Sequence, residues 1–118
     1  MDPDIRRIVA IDAHRRKTGR CPTLIYSLGT GEMFEVSPRE DGFTDIQSGI
    51  TAEVDQAGII LRGGGTIAIE STGDVTFAGF DPVSNERFTG RAGGGVSVTI
   101  YDAREIDFFQ YGIASAMA

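Results

Sequence analysis

The chain has 118 residues, 41% apolar and 24% charged, the balance of a single soluble globular domain rather than a disordered or fibrous chain. Its net charge of −6 works against broad attraction to nucleic acid, and no stretch approaches the roughly 20 apolar residues that span a bilayer. One cysteine, Cys21, allows no internal disulfide, and the charged N-terminus lacks the apolar core of a secretory signal, so the expected compartment is the cytoplasm.

Charge is unevenly placed. Residues 1–20 form a basic head, six cations against three carboxylates, and residues 21–118 form an acidic body, five arginines against fourteen carboxylates. The head reads as one amphipathic helix. Asp2 suits the N-cap, Pro3 the first turn and Asp4 the positive end of the dipole. Ile5, Ile8, Val9 and, a turn later, Asp12 and Ala13 follow helical spacing with Ile11 widening the stripe, Arg15, Arg16 and Lys17 close the last turn, and Gly19 then Pro22 stop it. Such a head is expected to dock on the acidic body, its own or that of a neighbouring copy.

From residue 23 the period falls to two. "TLIYSLGTGEMFEV" predicts a hairpin about Leu28-Gly29-Thr30-Gly31, and Ser37-Pro38-Arg39-Glu40-Asp41-Gly42 has a loop composition. Further short runs follow, among them "GITAEVD", "GIILRG", "TIAIES", "VTFAGF", "VSVTIYD" and "IDFFQYGI", each bounded by Gly, Asp, Asn or Pro. The expected fold is mainly β: an antiparallel barrel or two-sheet sandwich of about 7–9 short strands with one N-terminal helix, since no second helical pattern interrupts the strands. Alternation sends Ile67, Ile69, Val75 and Phe77 inward, and likewise Val96, Val98 and Ile100, leaving Ser97, Thr99 and Tyr101 outside.

The sixteen glycines are about twice the usual share. Arg62-Gly63-Gly64-Gly65 and Arg91-Ala92-Gly93-Gly94-Gly95 each lead into a strand. Neither has the spacing of a dinucleotide or phosphate loop or opens a helix, so both read as turns. Arg62 and Arg91 remain candidates to hold an anion if the turns share one end of the sheet. Arg16-Lys17-Thr18-Gly19-Arg20 is similar in its R-x-x-x-R spacing to PilZ-type cyclic-dinucleotide receptors, which adds Arg16 and Arg20 to those candidates. The [DN]-x-S-x-x-G segment of those receptors has no match in Asp45-Ile46-Gln47-Ser48-Gly49, and the family is not assigned.

Other chemistry has thin support. Cys21 and His14 are single residues, read as a small packed side chain and a solvent-facing helix residue. No metal and no cofactor is expected, since two Cys/His residues cannot build a zinc site and no segment spaces its oxygens like a calcium loop. Glu70, Glu86, Asp102 and Asp107 read as solvated strand charges. Near the C-terminus, Phe108 and Phe109 must face opposite sides of a strand; Phe109, Tyr111 and Ile113 form a partner surface unless the helix, the tail or another copy covers them. The favoured function is a non-catalytic binding or assembly module, self-associating or binding another protein. The alternatives are a receptor for a small anionic, nucleotide-like ligand and, third, a small hydrolase using paired carboxylates.

Overall fold

A computed structural model describes residues 1–93 and 96–114. It begins with helix α1 (Pro3–Thr18), followed by ten strands: β1 (Leu24–Ser27), β2 (Met33–Arg39), β3 (Gly42–Asp45), β4 (Ile50–Val54), β5 (Gly58–Leu61), β6 (Thr66–Ser71), β7 (Thr76–Asp81), β8 (Glu86–Ala92), β9 (Ser97–Asp102) and β10 (Asp107–Ala114). Each strand pairs antiparallel with the next, and β1 pairs with β10, closing a barrel. The fold is therefore the barrel of the two expected architectures, with ten strands in place of seven to nine. The additional strand is β3, and of the residues with loop composition, 37–42, only Glu40 and Asp41 lie between β2 and β3.

The helix ends as its sequence dictates. The Asp2 carboxylate accepts the Asp4 N–H, Pro3 opens the first turn, and Gly19 takes the left-handed conformation at φ 74° while its N–H returns to the Arg15 carbonyl. Its position departs from expectation. Residues 6–14 are all buried, more than two full turns, so there is no exposed face and the helix is not amphipathic in the expected sense. The barrel encloses it. Ile8, Val9, Ala10 and Ile11 are completely buried against inward side chains that include Ile25, Phe43, Ala52, Ile59, Ile67, Ile69, Phe88, Val98 and Ile100. The head thus docks inside its own body.

Alternation holds along the wall: Ile67, Ile69, Phe77, Val98 and Ile100 point inward. Val96 does not, because β9 starts at Ser97 and Val96 sits exposed in the preceding bend, and Val75 lies in the turn before β7. Two inward glycines accommodate rings: a Cβ on Gly90 would lie 2.3 Å from Phe77 Cζ, and one on Gly79 2.1 Å from Phe88 Cζ. Each glycine is the cross-strand partner of the ring that covers it.

The barrel has a top, where the helix begins, and a bottom, where it leaves through Gly19. At the top, five hairpins join odd strands to even ones over residues 27–31, 45–49, 61–65, 81–85 and 102–106, and the fifth residue of each has positive φ. Those residues are Gly31, Gly49, Gly65, Asn85 and Ile106, at 75°, 73°, 94°, 58° and 54°. Arg62-Gly63-Gly64-Gly65 is one of these turns, with all three glycines at positive φ, as its turn reading requires. Part of the second glycine triplet, Gly94 and Gly95, lies outside the described residues.

Candidate functional site

Two arginines in the first turns of α1 organise the interior. Arg6 and Arg7 are neighbours, about 100° apart around the helix, and each reaches a different wall. Arg7 Nε donates to Asp45 Oδ1 at 2.9 Å on β3, and its Nη2 donates to Asp45 Oδ2 and to Asp4. Arg6 Nη1 donates to Asp102 Oδ2 at 3.1 Å on β9, and its Nε donates to the Tyr111 hydroxyl at 3.2 Å on β10. Aromatic rings complete both seats: Phe109 lies 3.4 Å from the Arg6 guanidinium carbon and Phe34 4.1 Å from that of Arg7. Charge, bidentate geometry and a π face are the combination that suits a buried guanidinium. Burial disfavours the Arg7 charge, but its hydrogen bonds to Asp45 and Asp4 outweigh that and hold the guanidinium above its ordinary pKa.

The wall carboxylates have a second task. Asp45, Asp81 and Asp102 each end an odd strand at the top, face inward, and accept hydrogen bonds from the turn that follows. Asp45 takes the Ser48 hydroxyl at 2.6 Å, Asp81 the Val83 N–H at 3.0 Å, and Asp102 the Arg104 N–H at 3.1 Å. Such side-chain-to-backbone bonds fix a turn locally. The Met1 ammonium lies 3.0 Å from Asp102 and also pairs with Glu86. Burial pushes the Asp102 carboxyl up, yet the ammonium and the turn N–H groups more than offset it and hold it below the usual range; the Glu86 carboxyl is held down chiefly by the ammonium. Glu86 and Asp102 are therefore not the solvated strand charges expected.

At the bottom, Arg16 clasps the helix to the barrel. It pairs with Asp12 and donates to the backbone carbonyls of Asp55, Gln56 and Gly58, while Lys17 donates to that of Asp74. Asp12 is fully buried with no hydrogen-bond partner for Oδ1 among the described residues, and burial raises its pKa against the pull of Arg16. His14 is buried rather than solvent-facing, and burial lowers its pKa. Cys21 packs half-buried against the core, its thiol pushed up to about 11 by burial, so it is a poor nucleophile.

The arginine candidates do not converge. Arg62 is exposed and pairs with Glu53 at 3.2 Å. Arg91 faces outward on β8 opposite Thr76 and Thr99, with β6 and β7 between it and β5. Arg16 is held in its clasp, and Arg20 lies exposed beyond Gly19. Of the aromatic candidates, Phe109 is half-buried under Arg6 while Tyr111 and Ile113 are buried in the lumen, where the helix covers them. Phe108 is the residue left outside, 65% exposed and 4.9 Å from the Tyr101 ring. These two line a shallow apolar groove with Thr76, Ala78, Thr89 and Thr99, and Arg91 stands beside it.

The exposed large apolar side chains are not scattered. Among the described residues there are eight, and seven lie in the top hairpins or within two residues of them: Leu28, Met33, Ile46, Ile60, Val83, Ile106 and Phe108. Val96, at the bottom, is the eighth. Among the described residues, no group of three or more His, Cys, Asp or Glu is placed to hold a metal, and no helix is long and apolar enough to cross a membrane. Comparison of the chain with family models, curated proteins and solved structures finds no match.

Proposed function

We propose that this protein is a non-catalytic assembly module that self-associates through the top of its barrel. The observation that carries the reading is the segregation of exposed apolar side chains: the top gathers seven of the eight, where isolated ones would be expected on a surface that meets only water. The interior supports it. The helix occupies the lumen where many barrels hold a ligand, and the buried arginines are seated on carboxylates and rings. The outer wall carries Glu35, Glu53, Glu70, Arg87 and Arg91 within its strands, a pattern suited to water and protein partners rather than to a lipid belt. Glu86 and Asp102 converge on one ammonium that keeps both ionised, whereas hydrolysis by paired carboxylates uses one held protonated.

Light scattering over a hundredfold range of protein concentration tests the reading. Mass rising to a defined oligomer is the expected result, and a monomer throughout rejects it. A second reading draws on Arg91, whose side chain has no partner among the described residues and stands beside the apolar groove. A small anionic ligand with an apolar body fits that groove better than it fits any combination of Arg62, Arg16 and Arg20. A melting temperature unmoved by a panel of nucleotides would reject this second reading.

A further inference from the structure

We infer that the partner at the top of the barrel is the top of a second copy, met end to end about a two-fold axis, with Ile106 as the anchor. This rests on the self-association proposed above and goes on to specify its geometry. All five top hairpins have a positive-φ residue at their fifth position, and in four of them it is Gly or Asn, the residues that tolerate it. The fifth places a β-branched side chain there: Ile106 has φ 54° and is 77% exposed. Neither fact helps the isolated chain. A β-branched residue at positive φ is strained, and an apolar side chain in water gains nothing from burial. Strain kept at an exposed position points to a contact that uses the side chain.

The rest of the rim fits a copy of itself. Leu28, Ile46 and Val83 stand on three of the other four hairpins, with Phe108 just outside Ile106. Arg62 and Arg104, paired within the chain to Glu53 and Glu86 yet each more than half exposed, share the rim with Glu32, Glu105 and Asp107, so a two-fold contact can set opposite charges across the axis despite the chain's net charge of −6. The area is adequate. The two shorter dimensions of the molecule, 28 and 27 Å, match a barrel cross-section of roughly 600 Å² per copy, near the lower end of specific interfaces.

The test is Ile106→Asn, which restores the residue type found at Asn85. Relief of strain should raise the melting temperature of the monomer, measured at a dilution where both proteins are monomeric, by about 4 °C. The same substitution should weaken self-association about tenfold or more. These changes run in opposite directions, so loss of assembly cannot be ascribed to a damaged fold. Val96→Lys at the bottom should leave assembly unchanged. Small-angle scattering of the oligomer should give a longest dimension well beyond the 39 Å of one copy. An oligomer that survives Ile106→Asn undiminished, or that is no longer than one copy, overturns the end-to-end contact while leaving self-association standing; a chain monomeric at every concentration overturns both.

Discussion

The lumen and the top rim of this barrel reverse the usual distribution of polarity. Inside, among side chains such as Ile25, Phe43 and Ile100, lie Arg6, Arg7, Asp12, Asp45 and Asp102. Outside, on the turns, stand Leu28, Ile46, Val83 and Ile106. The difference lies in pairing rather than polarity. The buried arginines have their carboxylates and aromatic faces, and Asp45 and Asp102 answer both helix and turn, whereas nothing among the described residues covers the rim. Buried ion pairs of this kind contribute little net stability relative to an apolar pair, but they penalise every arrangement that separates them. They therefore fix where the helix sits: Arg6 and Arg7 reach two walls four strands apart around the ring, so a rotated or shifted helix strands at least one charge.

Removing one partner gives the largest effect. Arg7→Ala leaves Asp45 buried without its cation, and denaturant unfolding should show a loss of about 3–5 kcal/mol. Asp45→Asn should cost a similar amount, and the double substitution distinctly less than the two together, since they share one interaction. Additive losses would mean that the pair does not act as a unit. Next in size is Gly90→Ala. Its Cβ would meet Phe77 Cζ at 2.3 Å and the Thr99 carbonyl at 2.4 Å, an overpacking that costs about 1–3 kcal/mol. Restoring space with Phe77→Leu should recover part of that loss, and the absence of any recovery would place the strain on the backbone carbonyl instead.

The two regions also differ in how far the sequence reveals them. Asp2, Pro3 and Gly19 bound the helix correctly because caps are local, and Ile67, Ile69, Val98 and Ile100 face inward as a period of two demands. Residues 37–39 have a loop's composition because of Pro38 and its polar and charged neighbours. Strand β1 pairs only with residues 33–35 of β2, so Pro38 lies where that flank of β2 has no strand beside it and the missing N–H is not required. The buried ion pairs leave the least trace in the sequence. Arg6 pairs with a residue 96 positions away and Arg7 with one 38 away, separations that no local pattern encodes. One signal is present: Ile11 widens the stripe on one side and Ala10 on the other, so apolar residues almost circle the helix, as they do when a helix is enclosed. At the top, an aspartate four residues before a positive-φ residue recurs at Asp45–Gly49, Asp81–Asn85 and Asp102–Ile106, and Ile106 disguises the last copy.

A smaller effect arises from pH. His14 is buried and its pKa lies below its ordinary 6.5, so the unfolded chain takes up its proton first as pH falls. The stability that the neutral ring preserves is complete above about pH 6.5 and is lost progressively below it. Asp12 works in the opposite sense, because its raised pKa lets the folded state gain a proton above the ordinary 3.8 and relieves a buried charge. His14→Gln should therefore flatten the decline in melting temperature between pH 6.5 and 5 without steepening it at lower pH. An unchanged slope would mean that the decline comes from other groups.

The smallest expected effect is the one that separates rim from lumen most sharply. Leu28→Ser and Val83→Ser remove side chains that are 48% and 78% exposed, so each should change monomer stability by no more than about 0.5 kcal/mol. Equal-sized changes in the lumen, such as Ile100→Ser, remove a fully buried side chain and carry the cavity and desolvation costs of a packed core. The measurements are unfolding of the dilute monomer for stability and sedimentation equilibrium for assembly. If the rim is a contact surface, the double rim variant keeps its unfolding midpoint and loses its oligomer. If it unfolds as readily as the lumen variant, Leu28 and Val83 are supporting the turns beneath them, and the rim belongs energetically to the barrel rather than to a partner.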